Sequence, residues 1–227
     1  MFKDRDAWAA KDVTAYIGCC VFFLMFFCIG AALAQDRTAP APSCVVGQKL
    51  EFRYDDGRSF TREIASREGE LCVVITASAK SYYDKDWVLV KVVDRDGKTI
   101  TTAQPGYADI GEKLLPFPLA IGKTWETEVR GRSAERGIVT TYQNRFTVLT
   151  QEEITVPAGT FKTFKIKHEQ THSRGRGGTN RWGVRYFWYA PEVGYYVKRH
   201  WEPKESVDQF FWQTVRDYEL VSMSRPN

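Results

Sequence analysis

The chain has 227 residues, 43% hydrophobic and 26% charged, an ordinary balance for a globular protein with enough apolar chain for one well-buried core. Its formal net charge of +4 is too near balance for a nucleic-acid binder, which concentrates basic residues on one face. That charge leaves room for no more than a mild attraction to anionic surfaces.

Residues 1–34 stand apart. Lys3, Arg5 and Lys11 precede an apolar run from Val13 to Ala34 that contains no charge. Ala32-Leu33-Ala34 before Gln35 fits the small-x-small cleavage rule of a secretory signal. The alternative is an uncleaved anchor, because at ~1.5 Å per residue the run reaches ~33 Å and spans a bilayer. Three basic residues before the run, against Arg37 alone just after it, place the N-terminus in the cytoplasm in either case. The expected organisation is therefore 1–34 as signal peptide or signal anchor, 35–44 as a flexible Pro/Ala tether carrying Pro40 and Pro42, 45–222 as one domain, and 223–227 as a tail. The domain is expected to be exported to the periplasm, or held at the inner membrane by residues 13–34.

Cysteine usage agrees with export. Cys19, Cys20 and Cys28 lie in the apolar run, which leaves Cys44 and Cys72 as a pair in the remaining chain. In an oxidising compartment such a pair reads as a disulfide, worth roughly 3 kcal/mol in the chain-entropy model; two separate buried thiols are the alternative.

Strand signals then follow in order. Lys49–Tyr54 alternates Leu50, Phe52 and Tyr54 against Glu51 and Arg53, and Asp56-Gly57 supplies a hairpin turn. Ser59–Ser66 and Leu71–Ser78 continue a meander in which Cys72 comes within reach of Cys44. Lys80–Asp86 reads as a polar loop, Trp87–Asp94 as an apolar strand, Asp96-Gly97 as a second hairpin turn and Lys98–Ala103 as the returning strand. Residues 104–123 form the one long connection, whose Pro116 and Pro118 forbid a central strand or helix interior and whose apolar cluster is expected to pack across a sheet edge or end. The alternation Trp125, Thr127, Val129 opens a second half. Ile138–Leu149 follows, then a bend near Gln151, Ile154–Val156, Phe161–His172, Trp182–Tyr189, Tyr195–Trp201 and Phe210–Ser222. With roughly eleven or twelve strands and no convincing helix after the leader, the fold class is all-β. The expected form is an antiparallel, strongly curved sheet or open half-barrel around an apolar interior.

Two turns frame the second half. Pro157 presets φ and Gly159 suits the fourth position of a turn over Val156–Gly159; Pro191 and Gly194 do the same between two aromatic runs.

Few residues carry recognisable chemistry. His168-Glu169-Gln170-Thr171-His172 matches the His-Glu-x-x-His pattern of zinc hydrolases, which works on a helix, where residues four apart share one ion. Here Phe164 and Ile166 alternate with Lys165 and Lys167, which is strand periodicity, and on a strand the two imidazoles stand ~13 Å apart. No catalytic residue, metal ligand or cofactor is therefore expected. Arg174, Arg176 and Arg181 flank a Gly-rich loop that reads as a solvated hairpin end; as a site, its guanidinium groups suit phosphates or carboxylates of envelope lipids or glycans. Trp125 and Trp188 belong to an aromatic set that either fills the interior or lines a place for an apolar ligand.

Pro118-Leu119, Gly122-Lys123-Thr124-Trp125, Val156-Pro157-Ala158-Gly159-Thr160-Phe161 and Trp188-Tyr189-Ala190-Pro191 with Val193-Gly194 form a pattern over roughly Val45 to Leu220. It resembles uncharacterised exported bacterial proteins of the TapB-like type. Glu192 stands where that pattern often has glycine. The resemblance implies an antiparallel sheet curled into a half-barrel, similar to periplasmic lipoprotein carriers, and structural roles for the matching turn residues. The leading expectation is a non-enzymatic envelope protein that binds an apolar or amphiphilic molecule, a lipid or other envelope component, on a concave face. An assembly factor acting through a sheet edge or the Arg174–Arg181 loop is the alternative, and a zinc hydrolase the third.

Overall fold

The computed structural model describes residues 38–77, 79–100, 115–132, 139–174, 179–203 and 216–226, and every regular element among them is a strand. The leader, Arg176 and most of the segment before Leu115 lie outside the described residues.

The first half contains β1 (Thr38–Ala39), β2 (Lys49–Tyr54), β3 (Ser59–Glu68), β4 (Leu71–Thr76), β5 (Ala79–Tyr83), β6 (Leu89–Asp94), β7 (Thr99–Ile100) and β8 (Leu119–Ala120). The second contains β9 (Thr124–Arg132), β10 (Val139–Val156), β11 (Gly159–Arg174), β12 (Thr179–Ala190), β13 (Tyr195–Pro203) and β14 (Tyr218–Ser224). Twelve strands make one sheet in the order β7-β6-β5-β4-β3-β2-β14-β13-β12-β11-β10-β9, while β1 and β8 form a separate pair. Two meanders are thus joined by the last strand, which slots between β2 and β13. The order ends in two edges, so the sheet is open.

It is also strongly curved. The Ala158 N–H donates to the Leu220 carbonyl at 3.2 Å although β12 and β13 lie between those strands in the sheet. Gln48 Nε2 reaches the Val193 carbonyl at 2.8 Å, and Arg62 of β3 lies 4.1 Å from the Tyr195 ring centroid of β13. The inner face is what this curl buries: Leu50, Phe52, Phe146, Val148, Ile166, Phe187 and Leu220 are at most 1% exposed. A smaller cluster of Ile64, Cys72, Val74, Tyr83 and Trp87 sits under the first meander.

Three sequence expectations change. The stretch read as a loop over Lys80–Asp86 contributes strand β5, whose consecutive Tyr82 and Tyr83 are both buried, a pattern that period-2 reading rejects; the register shift beside them leaves its extra residue, Val90, on β6. The bend near Gln151 is a bulge between Val148 and Thr150 inside one 18-residue strand. The last strand starts at Tyr218, after the Asp217 carboxylate has accepted the Trp201 N–H at 2.7 Å and bonded His200 Nδ1 at 2.6 Å.

Other features stand as read. Cys44 and Cys72 are joined in a disulfide with Cα atoms 5.8 Å apart. The long connection, over its described part, puts Leu119 into the main core and Phe117 5.5 Å from Tyr189. Pro157-Ala158 turns between β10 and β11, and the turn over Pro191–Gly194 joins β12 to β13. One expectation here does not stand: the segment read as a flexible tether is, from Ala39 onward, laid along the domain. Ala39 is fully buried, Ala41 packs on the smaller cluster, and the Pro42 carbonyl accepts from Trp87 Nε1.

Candidate functional site

Alternation along the strands decides which expected residues can meet. On β11, Phe164, Ile166, His168 and Gln170 are buried while Lys165, Lys167 and Glu169 are half-buried on the other face. The His-Glu-x-x-His stretch is therefore extended throughout, and Glu169 points away from His168 and pairs with Lys167 at 3.1 Å. The helical geometry that zinc hydrolysis needs is not there. Among the described residues, no group of three or more His, Cys, Asp or Glu side chains is placed to hold a metal ion.

The two tryptophans expected to act together are on opposite faces. Trp125 lies opposite Phe146 on the inner face, its ring stacked 5.0 Å away. Trp188 lies opposite Lys165 and Lys198 on the outer face, with both ammonium groups over its ring and Nε1 donating to Glu152 at 2.7 Å. Arg174 and Arg181 sit at the ends of β11 and β12; their side chains, like residues 175–178, lie outside the described set.

What the fold does assemble is an aromatic and polar row across the inner face. Trp125, Phe146 and His168 occupy successive opposed positions on β9, β10 and β11, and their rings stack at 5.0 and 4.3 Å with interplanar angles of 8° and 7°. Asn144 Oδ1 bonds His168 Nε2 at 3.0 Å and accepts from Gln170 Nε2 at 2.8 Å. Burial, and then the Arg185 charge opposite, hold His168 well below the usual imidazole range, so it is neutral at physiological pH. Arg185 itself, stacked on Trp201 at 4.8 Å, is lowered by burial to about 10 and stays charged. His168 Nδ1 and Trp125 Nε1 are buried with no hydrogen-bond partner among the described residues.

Nearer β3 the same face forms a cleft of about 20 Å³ whose lining includes Arg62, Trp87, Phe117, Tyr189 and Tyr195. Arg62 is 5% exposed, yet its guanidinium contacts ring faces: Tyr195 at 4.1 Å and Trp87 at 5.6 Å. Tyr189 is 1% exposed, and its hydroxyl has no partner among the described residues. Burial raises the Tyr189 hydroxyl pKa, and the Arg62 charge beside it works the other way. Trp87 is held for this role by an unusual backbone. Its φ is 60°, a left-handed conformation that costs a bulky residue energy, and Asp84 stabilises the turn by accepting from the N–H groups of Asp86 and Val88, each at 2.9 Å.

The DUF3108-like family model matches residues 128–205, the stretch from β9 to just past β13. No curated protein matches the chain. Among solved structures, a candidate lipoprotein from Parabacteroides distasonis is similar at 17% identity over 84% of this chain and 100% of its own, with a TM-score of 0.45. A candidate exported protein with a YmcC-like fold from Bacteroides fragilis is similar at 16% identity, over 83% of this chain and 100% of its own, with a TM-score of 0.37. The hypothetical lipoprotein YmcC from Escherichia coli is similar at 15% identity, over 79% and 84% of the two chains, with a TM-score of 0.44.

The outer face carries a broader trough of about 730 Å³ across β9 to β13, lined by Glu126, Gln143, Arg145, Glu169, Val184 and Glu202 among others. Two of its four acids are paired locally, Glu126 with Arg145 at 3.1 Å and Glu169 with Lys167 at 3.1 Å. The residues that sequence reasoning missed, Arg62, Arg185 and Arg199, share one readable signal. Each stands in the apolar phase of its strand: Phe60-x-Arg62-x-Ile64, Arg185-x-Phe187-x-Tyr189 and Val197-x-Arg199-x-Trp201. A charge in that phase points inward.

Proposed function

We propose that this is an exported, non-enzymatic protein of the cell envelope that holds an amphiphilic molecule against the inner face of its open sheet. The observation that carries the reading is the inner face itself, where Trp125 Nε1, His168 Nδ1 and the Tyr189 hydroxyl are buried among stacked rings without partners among the described residues. Native proteins pair nearly all such groups, because an unmade buried hydrogen bond costs roughly 1–3 kcal/mol. An apolar wall set with unmet polar atoms suits a molecule that is apolar along its length and polar at one place. Export is supported by the charge-free run Val13–Ala34 and by the Cys44–Cys72 disulfide, which belongs to an oxidising compartment. The TapB-like reading of the turn motifs fits this assignment, since Val156–Phe161 and Trp188–Gly194 both form hairpin connections.

Native mass spectrometry of the protein released from envelopes by mild extraction tests the reading. A reproducible adduct of lipid mass supports it, and repeated absence of any co-purified amphiphile counts against it. The assembly-factor alternative draws on β9, a nine-residue strand at the end of the sheet order. Whole-cell crosslinking that recovers no protein or glycan neighbour argues that alternative down.

A further inference from the structure

Arg62 poses a distinct question. It is 95% shielded from solvent, and among the described residues its side chain makes neither an ion pair nor a hydrogen bond; it contacts the faces of Tyr195 and Trp87. A buried guanidinium carries five N–H donors in its plane, and ring faces satisfy the flat sides of the cation but none of those donors. Leaving such a charge unpaired is among the costlier arrangements in a protein interior. A second buried polar group lines the same cleft, the Tyr189 hydroxyl, also without a partner among the described residues. Among the described residues the buried charged set includes three arginines, Arg62, Arg185 and Arg199, and no carboxylate. The missing chemistry is therefore that of an anion.

Size narrows it. About 20 Å³ accepts one water-sized atom group, so a whole headgroup does not enter, but a single oxygen of one does. The rim residues Pro42, Leu115 and Phe117 are half-buried, so the remainder of such a molecule has a way out past them. A carboxylate or phosphate oxygen accepting from Arg62 and from the Tyr189 hydroxyl gives short, charge-assisted bonds from both groups at once.

We infer that the Arg62–Tyr189 cleft, walled by Trp87, Tyr195 and Phe117, is a binding site for an oxyanion, carboxylate or phosphate, at the head of the molecule the inner face receives. This rests on the amphiphile reading for the tail but stands on its own for the head. The full chain, purified in buffer free of phosphate, is titrated calorimetrically with inorganic phosphate, octyl phosphate and octanol, alongside Arg62→Gln and Tyr189→Phe. Octyl phosphate is expected to bind the wild-type chain, with Kd raised tenfold or more by Arg62→Gln and severalfold by Tyr189→Phe. The tyrosine variant keeps the ring and loses an unpartnered hydroxyl, so it folds even where Arg62→Gln does not, and melting curves verify both. If inorganic phosphate also binds with the same dependence on Arg62, a free anion suffices and the site stands without the amphiphile. If octyl phosphate alone does, the source is an amphiphile and both readings stand. Octanol and octyl phosphate binding alike, and equally to all three proteins, overturns the anion site while leaving the amphiphile. Failure of both phosphates to bind overturns it outright.

Discussion

Gly194 offers the sharpest test of how the N-terminal segment is held. Its φ is +71°, and a Cβ built there meets the Pro42 Cβ at 2.9 Å, closer than real Cβ atoms come. Gly194→Ala therefore carries two costs, about 1 kcal/mol or somewhat more for the left-handed backbone and about 1–3 kcal/mol for the clash. Gly57 separates them: its φ is +86°, and an added Cβ meets nothing within 4 Å, so Gly57→Ala measures the backbone term alone. In urea denaturation of the oxidised protein, Gly194→Ala is expected to lose about 2–4 kcal/mol and Gly57→Ala about 1 kcal/mol. Pro42→Gly removes the opposing ring while leaving the carbonyl that receives Trp87 Nε1, so in that background the Gly194→Ala cost falls back toward the Gly57 value. The cycle should give a coupling of roughly 1–2 kcal/mol. Equal costs for the two glycine variants, or strict additivity with Pro42→Gly, would refute the docking of residues 39–44 on the β12–β13 turn.

His168 is held below the usual 6.5 in the folded state, so below that pH the unfolded chain binds the extra proton and the folded one does not. Its contribution is complete above pH 6.5 and is lost as pH falls, with a slope of up to ~1.4 kcal/mol per pH unit; stability of His168→Phe, measured by urea melts from pH 7 down to 5, should fall less steeply than that of the wild-type chain, and parallel curves would contradict the buried neutral imidazole. Replacing both Cys44 and Cys72 by serine is expected to cost roughly 3 kcal/mol, read as the difference in urea midpoint at constant slope, with reduced wild-type protein behaving like the double variant. Elemental analysis of the purified chain should find no stoichiometric zinc, and His172→Ala should leave the melting temperature unchanged on adding a chelator; stoichiometric zinc would reopen hydrolysis.

Much of the fold was legible because its signals are local. Asp56-Gly57 and Asp96-Gly97 mark hairpins by the positive φ that glycine alone adopts cheaply, and both glycines have it, at +86° and +79°. Cys44 and Cys72 were readable because a three-strand meander brings a residue ahead of its first strand to the third. Strand β5 was not, since Tyr82 and Tyr83 are buried in succession and a strand covered on both faces lacks the polar-apolar alternation that marks one. Nor was the separation of Trp125 from Trp188. Each lies in a strand of clear periodicity, but the face each occupies relative to the other follows from pairing across β10, β11 and β12. The inward arginines fall between these cases: their phase is visible in the strand pattern, whereas whether an inward charge finds a partner depends on which distant strand the curl brings over it.

That last dependence separates the arginines by role. Arg199 sits at the seam between the two meanders, where, among the described residues, β13 and β14 pair Lys198 with Glu219 and Arg199 with Tyr218. Its Nε donates to the Arg216 carbonyl at 2.9 Å while its guanidinium lies 4.5 Å from the Tyr218 ring centroid, so its charge is spent on closing a short ladder. Beside it, His200 and the Trp201 N–H grip Asp217 for the same end. Arg62 bridges β3 to Tyr195 of β13 through ring faces alone, with no carbonyl or carboxylate taking its N–H groups among the described residues. Its neighbours on β2 and β4, Leu50 and Thr76, are already in ladder register, and an apolar side chain of similar length would fill the space between Tyr195 and Trp87 at lower cost. A buried cation beside a hydroxyl without a partner among the described residues and a tryptophan in a left-handed conformation is the arrangement on which the proposed anion site rests.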